Sequence, residues 1–165
     1  MRDSEADEFV TYLIERFQGE VYGEAVFVGL AEAEPDPEAR WKWRVLETLE
    51  RETKEYLDRA LRARGHEVKP SEESWAQGLK FGKRLATVPR PVFMAGFRSE
   101  VLKFVAEYEA AEALAPADGR TVAQRVTAHE RAILDFADLE LAGRGNESAA
   151  PVLALLANPP AALRQ

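Results

Sequence analysis

Two glutamates interrupt the apolar stripe of the first helical segment, in the stretch 17–27 with the sequence FQGEVYGEAVF. Apolar residues recur at steps of three and four along residues 4–32, and this spacing is typical of one face of an amphipathic helix. The same steps fall on Glu20 and then on Glu24. A buried carboxylate is costly unless it is protonated, paired or bound to a cation. The stretch therefore predicts a long helix with a polar site near its middle.

Two glycines, Gly19 and Gly23, stand beside these acids, one helical turn apart. A glycine inside a helix costs about 1 kcal/mol relative to alanine, but it lets another backbone, a bulky side chain or a ligand come close. Unfavourable choices at one level are more typical of a functional site than of simple packing. A structural interpretation stays open, in which Glu24 reaches water at the edge of the face and Glu20 pairs with a buried Arg or Lys.

The composition predicts one folded domain that spans residues 1–165. A chain of this length, with 46% hydrophobic residues, can bury a substantial core. No apolar run approaches the roughly 20 residues of a membrane-spanning helix, and the acidic, polar N-terminus lacks the pattern of a signal peptide. We therefore expect a cytoplasmic protein that does not enter a membrane.

Charge and cysteine content argue against several classes of function. The formal net charge is −7, and the basic residues are scattered among acids. We expect no nucleic-acid partner, because phosphate contacts need clustered Lys and Arg. The chain has no cysteine, which excludes disulfides, thiolate metal sites and cysteine nucleophiles. The sequence also lacks a phosphate-binding loop, a nucleophile elbow and a dinucleotide fingerprint.

Turn residues divide the rest of the chain into further helical segments. Asp36-Pro37 is typical of a helix start, and Gly65 is typical of a helix end. The pattern from Thr121 to Gln124 fits a capping box at another helix start. No strand-like alternation persists anywhere. The predicted helices cover residues 4–32, 37–64, 72–87, 91–114, 121–142 and 148–157.

Helices of this length bury their apolar faces best as a bundle. The short turn at Glu34-Pro35 makes the first two helices antiparallel neighbours, and the turn at 116–119 does the same for the last two long helices. A long connection separates the pairs, and the prolines of Pro89-Arg90-Pro91 break the third helix. We predict an all-α fold: an antiparallel four-helix bundle whose third helix is broken at Pro89–Pro91, followed by a short C-terminal helix.

Counting from the turns places polar residues of four helices at one depth. Glu20 lies about 14 residues before the first turn and Glu50 about 16 after it, at about 1.5 Å of rise per residue. Tyr108 lies about 10 residues before the turn at 116–119, and His129 and Glu130 lie about 11 after it. We therefore expect these side chains to meet near the middle of the bundle.

This arrangement resembles the ferritin-like superfamily of four-helix bundles, many of which carry a di-iron or di-manganese carboxylate site. In that family two helices each supply a Glu and two others each supply a Glu-x-x-His pair. Glu20, Glu50 and Glu130 are similar to the glutamates of the first, second and last helices. The metal-ligand motif is incomplete, because Thr53 and Ile133 occupy the positions of the two histidines.

The resemblance implies a metal site, with iron or manganese as the cofactor. The implied ligands are Glu20, Glu50, Glu130 and His129, which stands directly before Glu130. Carboxylates with one imidazole also suit these metals by their own chemistry. The implied activity is that of a metal-dependent oxidase or hydroxylase acting on a small molecule. The residues expected close to the ligands are Glu24, Thr53 and Tyr108.

Two other interpretations remain open from the sequence. The ferritin-like bundle could lack a metal cofactor and act as a binding or interaction protein. Its polar residues would then satisfy one another, for example as a Glu50–His129 pair, and Lys54 would neutralise a carboxylate. Alternatively, Glu20 and His129 could act as acid and base around a cavity. The aromatic helix ends are compatible with a homodimer, and no residue pattern identifies a substrate.

Overall fold

Helices are the only regular secondary structure in the part of the chain that the structure describes. The computed structural model covers residues 2–163, with side chains from residue 7 onward. Within this range the all-α prediction is confirmed. No helix there is both long and apolar enough to cross a membrane. The helices are α1 (Arg2–Ala33), α2 (Pro37–Arg62), α3 (Glu72–Leu85), α4 (Arg90–Leu114), α5 (Arg120–Leu141) and α6 (Ala150–Leu153).

The turn between α1 and α2 forms as its sequence predicts. Asp36 is the N-cap of α2, and its carboxylate accepts a hydrogen bond from the Ala39 backbone N–H at 3.0 Å. This bond satisfies one of the donors that a helix start leaves without a partner. Pro37 occupies the first helical position. Beyond the other end of α2, Gly65 adopts a φ of +81°, which glycine accepts without strain.

Two apolar clusters form the core. The Trp43 cluster, which includes Phe27 and Phe136, joins the C-terminal parts of α1 and α5 to the N-terminal parts of α2 and α4. The Leu13 cluster, which includes Leu57 and Val126, joins the opposite parts of α1, α2 and α5. The chain therefore runs from the Leu13 cluster to the Trp43 cluster in α1 and α5, and in the reverse direction in α2.

A layer of buried polar side chains separates the two clusters. On α2, for example, Leu49 belongs to the Trp43 cluster and Leu57 to the Leu13 cluster, and polar residues lie between them. The same succession occurs on α1 and α5. We call this group the polar layer. Its members are Glu20 and Glu24 of α1, Glu50 and Thr53 of α2, and Thr127, His129 and Glu130 of α5.

Glycines bring α3 close to α1. α3 lies in the long connection between α2 and α4 and packs along α1. A Cβ built on Gly82 would lie 2.9 Å from the Val26 carbonyl carbon, and a Cβ on Gly78 would collide with the Tyr22 carbonyl oxygen. Both obstacles are backbone atoms, which cannot rotate away. The close contact between α1 and α3 therefore requires glycine, which has no Cβ, at these two positions.

The break at Pro89–Pro91 is complete, so α3 and α4 are separate helices with different partners. α3 packs on α1, whereas α4 packs on α5. The predicted capping box at Thr121 is wrong. α5 begins at Arg120 with Gly119 at its N-cap, and no side chain caps it. The capping pattern therefore predicted the presence of this helix but not the chemistry of its first turn.

The C-terminal segment contains less helix than the predicted range 148–157. α6 covers only Ala150–Leu153. After it, the backbone N–H groups of Ala157 and Asn158 donate hydrogen bonds to the Glu52 carboxylate, at 2.8 and 2.7 Å. These donors therefore bind α2 instead of continuing a helix, and they hold the segment against the rest of the molecule.

We expect the substitution Gly82→Ala to destabilise the protein, because the new methyl group would push α3 away from the α1 backbone. Overpacking of this kind typically costs about 1–3 kcal/mol. Gly96→Ala is the matched control, since nothing lies within 4 Å of a Cβ at that exposed position of α4. It should stabilise the protein by about 1 kcal/mol through helix propensity. Urea unfolding measures both, and equal stabilisation by both would contradict the close packing.

Candidate metal centre

Two glutamates and one histidine from three different helices converge in the polar layer. Glu20 of α1, Glu50 of α2 and His129 of α5 have exposed fractions of only 3%, 6% and 1%. His129 Nε2 lies 3.4 Å from Glu50 Oε1 and 3.7 Å from Glu20 Oε2. One potential ligand atom from each residue lies within 4.8 Å of the other two. We call these three residues the Glu–Glu–His triad.

The distances within the triad suit ligands that share one metal ion. Bonds from a transition metal such as zinc to nitrogen or oxygen are about 2.0–2.2 Å long, so two tetrahedral ligands lie roughly 3.4 Å apart. A direct N–H···O hydrogen bond is shorter, typically about 2.7–3.2 Å. The distances from His129 Nε2 are therefore closer to the ligand spacing than to a hydrogen bond. The arrangement can hold a single divalent ion.

Thr53 orients the imidazole ring of His129. The Thr53 hydroxyl oxygen lies 2.8 Å from His129 Nδ1, and Thr53 is fully buried. If the ring carries its proton on Nδ1, the hydroxyl accepts this hydrogen bond and Nε2 is left as a ligand atom facing the carboxylates. Metal-binding histidines commonly make such a bond through their other nitrogen, and it fixes both the tautomer and the ring orientation. Thr53 therefore has a specific contact with the triad.

Gly23 makes room for the Glu50 carboxylate. A Cβ built on Gly23 would lie 2.7 Å from Glu50 Cδ, whereas a Cβ on Gly19 would meet nothing within 4 Å. Gly19 is exposed. The two glycines of the opening stretch therefore differ, because only Gly23 has a neighbour that a side chain would displace. The close approach lets a carboxylate from α2 lie against the α1 backbone.

Two buried atoms of the triad face each other at 3.7 Å without forming a hydrogen bond. Glu20 Oε2 and His129 Nε2 are buried and have no hydrogen-bond partner. Burial raises the pKa of Glu20 well above its ordinary value, and the neighbouring Glu50 carboxylate raises it further. Burial alone would lower the pKa of His129, but the charges of Glu50 and Glu130 outweigh it and the net direction is upward. A bound cation would relieve both deficits.

Glu130 lies in the polar layer but outside the triad. Its side chain is 9% exposed, and burial raises its pKa from 4.5 to about 7. The charges of His129 and Arg16 partly oppose this rise. Its carboxylate does not join the group whose ligand atoms lie within 4.8 Å of one another. Glu130 thus contributes buried charge beside the triad, and its predicted role as a ligand stays a prediction.

Lys54 forms an ion pair with Glu24, one turn along each helix from Glu50 and Glu20. The exposed fractions of the Lys54 and Glu24 side chains are 19% and 8%. Lys54 is therefore engaged with an acid outside the triad. This pairing accounts for the second acid of the opening stretch and leaves the charges of Glu20 and Glu50 to each other and to His129.

Tyr108 of α4 contacts Arg16, which the sequence analysis did not single out. The Arg16 guanidinium donates a hydrogen bond to the Tyr108 hydroxyl and lies 4.6 Å above the centre of its ring. Arg16 stands one helical turn before Glu20, and Tyr12 one turn before Arg16. The spacing of i and i+4 along one helix face was the signal that could have identified both residues.

Comparisons of the chain with protein families, curated proteins and solved structures gave no match. The site is therefore interpreted from its own geometry and chemistry.

We expect the metal-free protein to lose stability as the pH rises from 5.5 to 8. Glu130 has a folded-state pKa of about 7 against 4.5, so its neutral form favours the folded state. That contribution is complete below pH 4.5 and is lost as the pH rises through 7, by roughly 3 kcal/mol in total. The raised pKa values of Glu20 and His129 act in the same direction.

Urea unfolding in the presence of a chelator, repeated across this pH range, measures the slope. Glu130→Gln should flatten it, because the amide cannot titrate. Glu55→Gln, which changes an exposed acid on α2, serves as the control and should leave the slope unchanged. Stability that increases from pH 5.5 to pH 8 would show that the folded state does not favour the neutral form of the buried acids.

Proposed function

We propose that this protein binds one divalent transition-metal ion on Glu20, Glu50 and His129. The observation that carries the proposal is the Glu–Glu–His triad, whose ligand atoms come from three helices and lie within 4.8 Å of one another in a buried layer. Three charged or ionisable groups placed together without water are costly unless a cation compensates them. A metal ion would satisfy the two unpartnered atoms, Glu20 Oε2 and His129 Nε2.

The arrangement of the helices supports a ferritin-like, antiparallel four-helix bundle as the scaffold. α1 packs with α2, α4 packs with α5, and α2 contacts α5. Residues of all four helices share the Trp43 cluster. The long connection between the two pairs contains α3, and one long crossover is typical of ferritin-like bundles. In such a scaffold the proposed metal site would lie between the helices, near their middle.

The donor set favours iron or manganese. The two carboxylates are hard ligands and the imidazole is intermediate, and no thiolate is available. Three protein ligands leave coordination positions open, which is the usual property of a catalytic rather than a purely structural ion. When bound, the ion would supply Lewis-acid or redox chemistry to a small molecule. We therefore propose an oxidase or hydroxylase activity for the metal-loaded protein.

The alternative is a metal-free bundle that acts as a binding or interaction protein. The observation in its favour is the contact of His129 Nε2 with Glu50 Oε1 at 3.4 Å, since a protonated imidazole would compensate this carboxylate. The double variant Glu20→Gln, Glu50→Gln distinguishes the two. If the protein binds no metal, this variant removes buried charge, and its free energy of unfolding should stay unchanged or rise.

We expect the purified protein, reconstituted with iron(II) or manganese(II), to hold about one ion per chain. The variant Glu50→Gln should weaken binding by at least about 100-fold, because loss of an outer-sphere partner alone typically costs about 10–100-fold. Elemental analysis and calorimetric titration measure both quantities. Glu55→Gln, an exposed acid on the same helix, is the control. Failure of the unaltered protein to retain either metal would refute the proposal.

The two glycines of α1 provide a second, independent test of the metal site. Gly23→Ala should displace the Glu50 carboxylate and weaken manganese binding by about 10-fold or more, in the manner of other outer-sphere changes. Gly19→Ala should leave the affinity unchanged and stabilise the helix by about 1 kcal/mol. Titration with manganese and thermal unfolding of both variants give the comparison. Equal metal affinity for the two would mean that Glu50 is not a ligand.

A further inference from the structure

The side chains between the triad and α4 include two hydrogen-bond donors, Arg16 and Tyr108. The triad residues come from α1, α2 and α5. None of the glutamates of α4 is fully buried, and the buried polar residue that α4 directs toward this level is Tyr108. Burial raises the pKa of Tyr108, so its phenol remains a proton donor at neutral pH. The open positions of an ion on the triad would therefore face donors.

Tyr12, Arg16 and Glu20 form a ladder along one face of α1. Residues four apart on a helix lie about 5–6 Å from each other, so the ladder leads directly to the triad. Arg16 contacts Tyr108 across the boundary with α4, and the Tyr12 and Tyr108 rings meet edge to face at 6.4 Å. The Arg16 charge partly opposes the rise that burial causes in the pKa of Glu20, which places the two groups within electrostatic reach.

Two donors of this ladder lack acceptors. Arg16 Nε and the Tyr12 hydroxyl are buried and have no hydrogen-bond partner. Burial raises the pKa of Tyr12 to about 12, so this hydroxyl keeps its proton. The buried centre thus has two complementary deficits. The triad carboxylates have no metal cation, and the donors Tyr12 hydroxyl and Arg16 Nε have no acceptor, although an unpartnered buried polar group of either kind is costly.

We infer that Tyr12 and Arg16 form a subsite for a small carboxylate ligand that binds beside the metal ion. One carboxylate oxygen would reach an open coordination position, and the other would accept hydrogen bonds from the Arg16 guanidinium and the Tyr12 hydroxyl. The planar fork of arginine fits the two oxygens of a carboxylate. This inference depends on the proposed metal site and specifies the class of ligand that the site takes.

The acids around the ladder determine the order of binding. The charges of Glu107 and Glu112 act on Tyr12 together with that of Glu20. One oxygen of Glu112 is itself buried without a partner. Without a metal ion, this negative surrounding would repel an anion. A divalent ion on the triad would offset the charges of Glu20 and Glu50, so we expect the carboxylate to bind after the metal and not to the metal-free protein.

The surroundings limit the ligand to a small molecule. Two surface cavities of about 500 and 370 Å³ are lined by other residues and include neither the triad nor the ladder. Contact between α1 and α4 at this level runs through long side chains, chiefly Arg16 and Tyr108. Arg16 is only half-buried, and we expect a short monocarboxylate to fit beside it better than a bulky substrate.

The test uses acetate as the probe and the manganese-loaded full chain as the protein. Paramagnetic relaxation of water protons reports the water molecules bound to manganese, and acetate should reduce it in a saturable manner. Acetamide, the neutral analogue, should have no comparable effect at equal concentration. Calorimetric titration of the metal-free protein with acetate should show no binding.

Two variants locate the subsite. Arg16→Met and Tyr12→Phe should each weaken acetate binding, by about 10-fold or more for the arginine, because the guanidinium would supply charge-assisted hydrogen bonds to the carboxylate. Both variants should still bind about one manganese ion per chain, which shows that the metal site remains. Arg131→Met, which changes an exposed arginine paired with Glu109, is the control. Circular dichroism verifies the fold, and Arg16→Lys provides a milder change if Arg16→Met unfolds.

The outcomes separate this inference from the proposed function. If manganese does not bind the unaltered protein, both fall. If manganese binds but acetate does not, or if acetate binds equally well to Arg16→Met and Tyr12→Phe, the subsite is refuted while the metal site stands. Acetate binding to the metal-free protein would also refute it, because the stated order requires the ion first.

Discussion

The cost of keeping carboxylates away from water governs the centre of this protein. Glu20, Glu50 and Glu130 lie in one layer with His129, and each is nearly inaccessible to solvent. Like charges in such surroundings raise the pKa values of their neighbours or require a cation. Two other features at this level respond to this constraint. Thr53 fixes the imidazole and Gly23 admits the Glu50 carboxylate.

The same constraint explains how the polar groups are divided. Lys54 compensates Glu24 at the edge of the layer, and Arg16 stands near Glu130 on the other side. The carboxylates of the triad between them are those for which we propose a metal ion. An ion with open positions would need a further ligand, which the donors of Tyr12 and Arg16 would help to hold. The proposed metal site and the proposed carboxylate subsite would thus be two parts of one charge balance.

Regular patterns made part of this structure predictable from the sequence. The spacing along α1, α2 and α5 placed Glu20, Glu50 and His129 at one depth, because helical rise is constant and the turns are short. Packing details were not predictable in this way. Gly19 and Gly23 look alike in the sequence, and only the position of Glu50 distinguishes them.

Long-range partners were also beyond the sequence. The attachment of α3 to α1 depends on backbone contacts at Gly78 and Gly82, and a glycine in a helix does not reveal which segment approaches it. The role of Arg16 was not predictable, because an arginine on a helix usually lies in solvent. Its contact is with Tyr108, which lies 92 positions away in the sequence. The polar layer has one more effect, on cooperativity. The helices α1, α2 and α5 each contribute residues to both apolar clusters. Neither cluster can therefore unfold without disrupting helices that the other cluster also needs, and the two clusters should unfold in a single step.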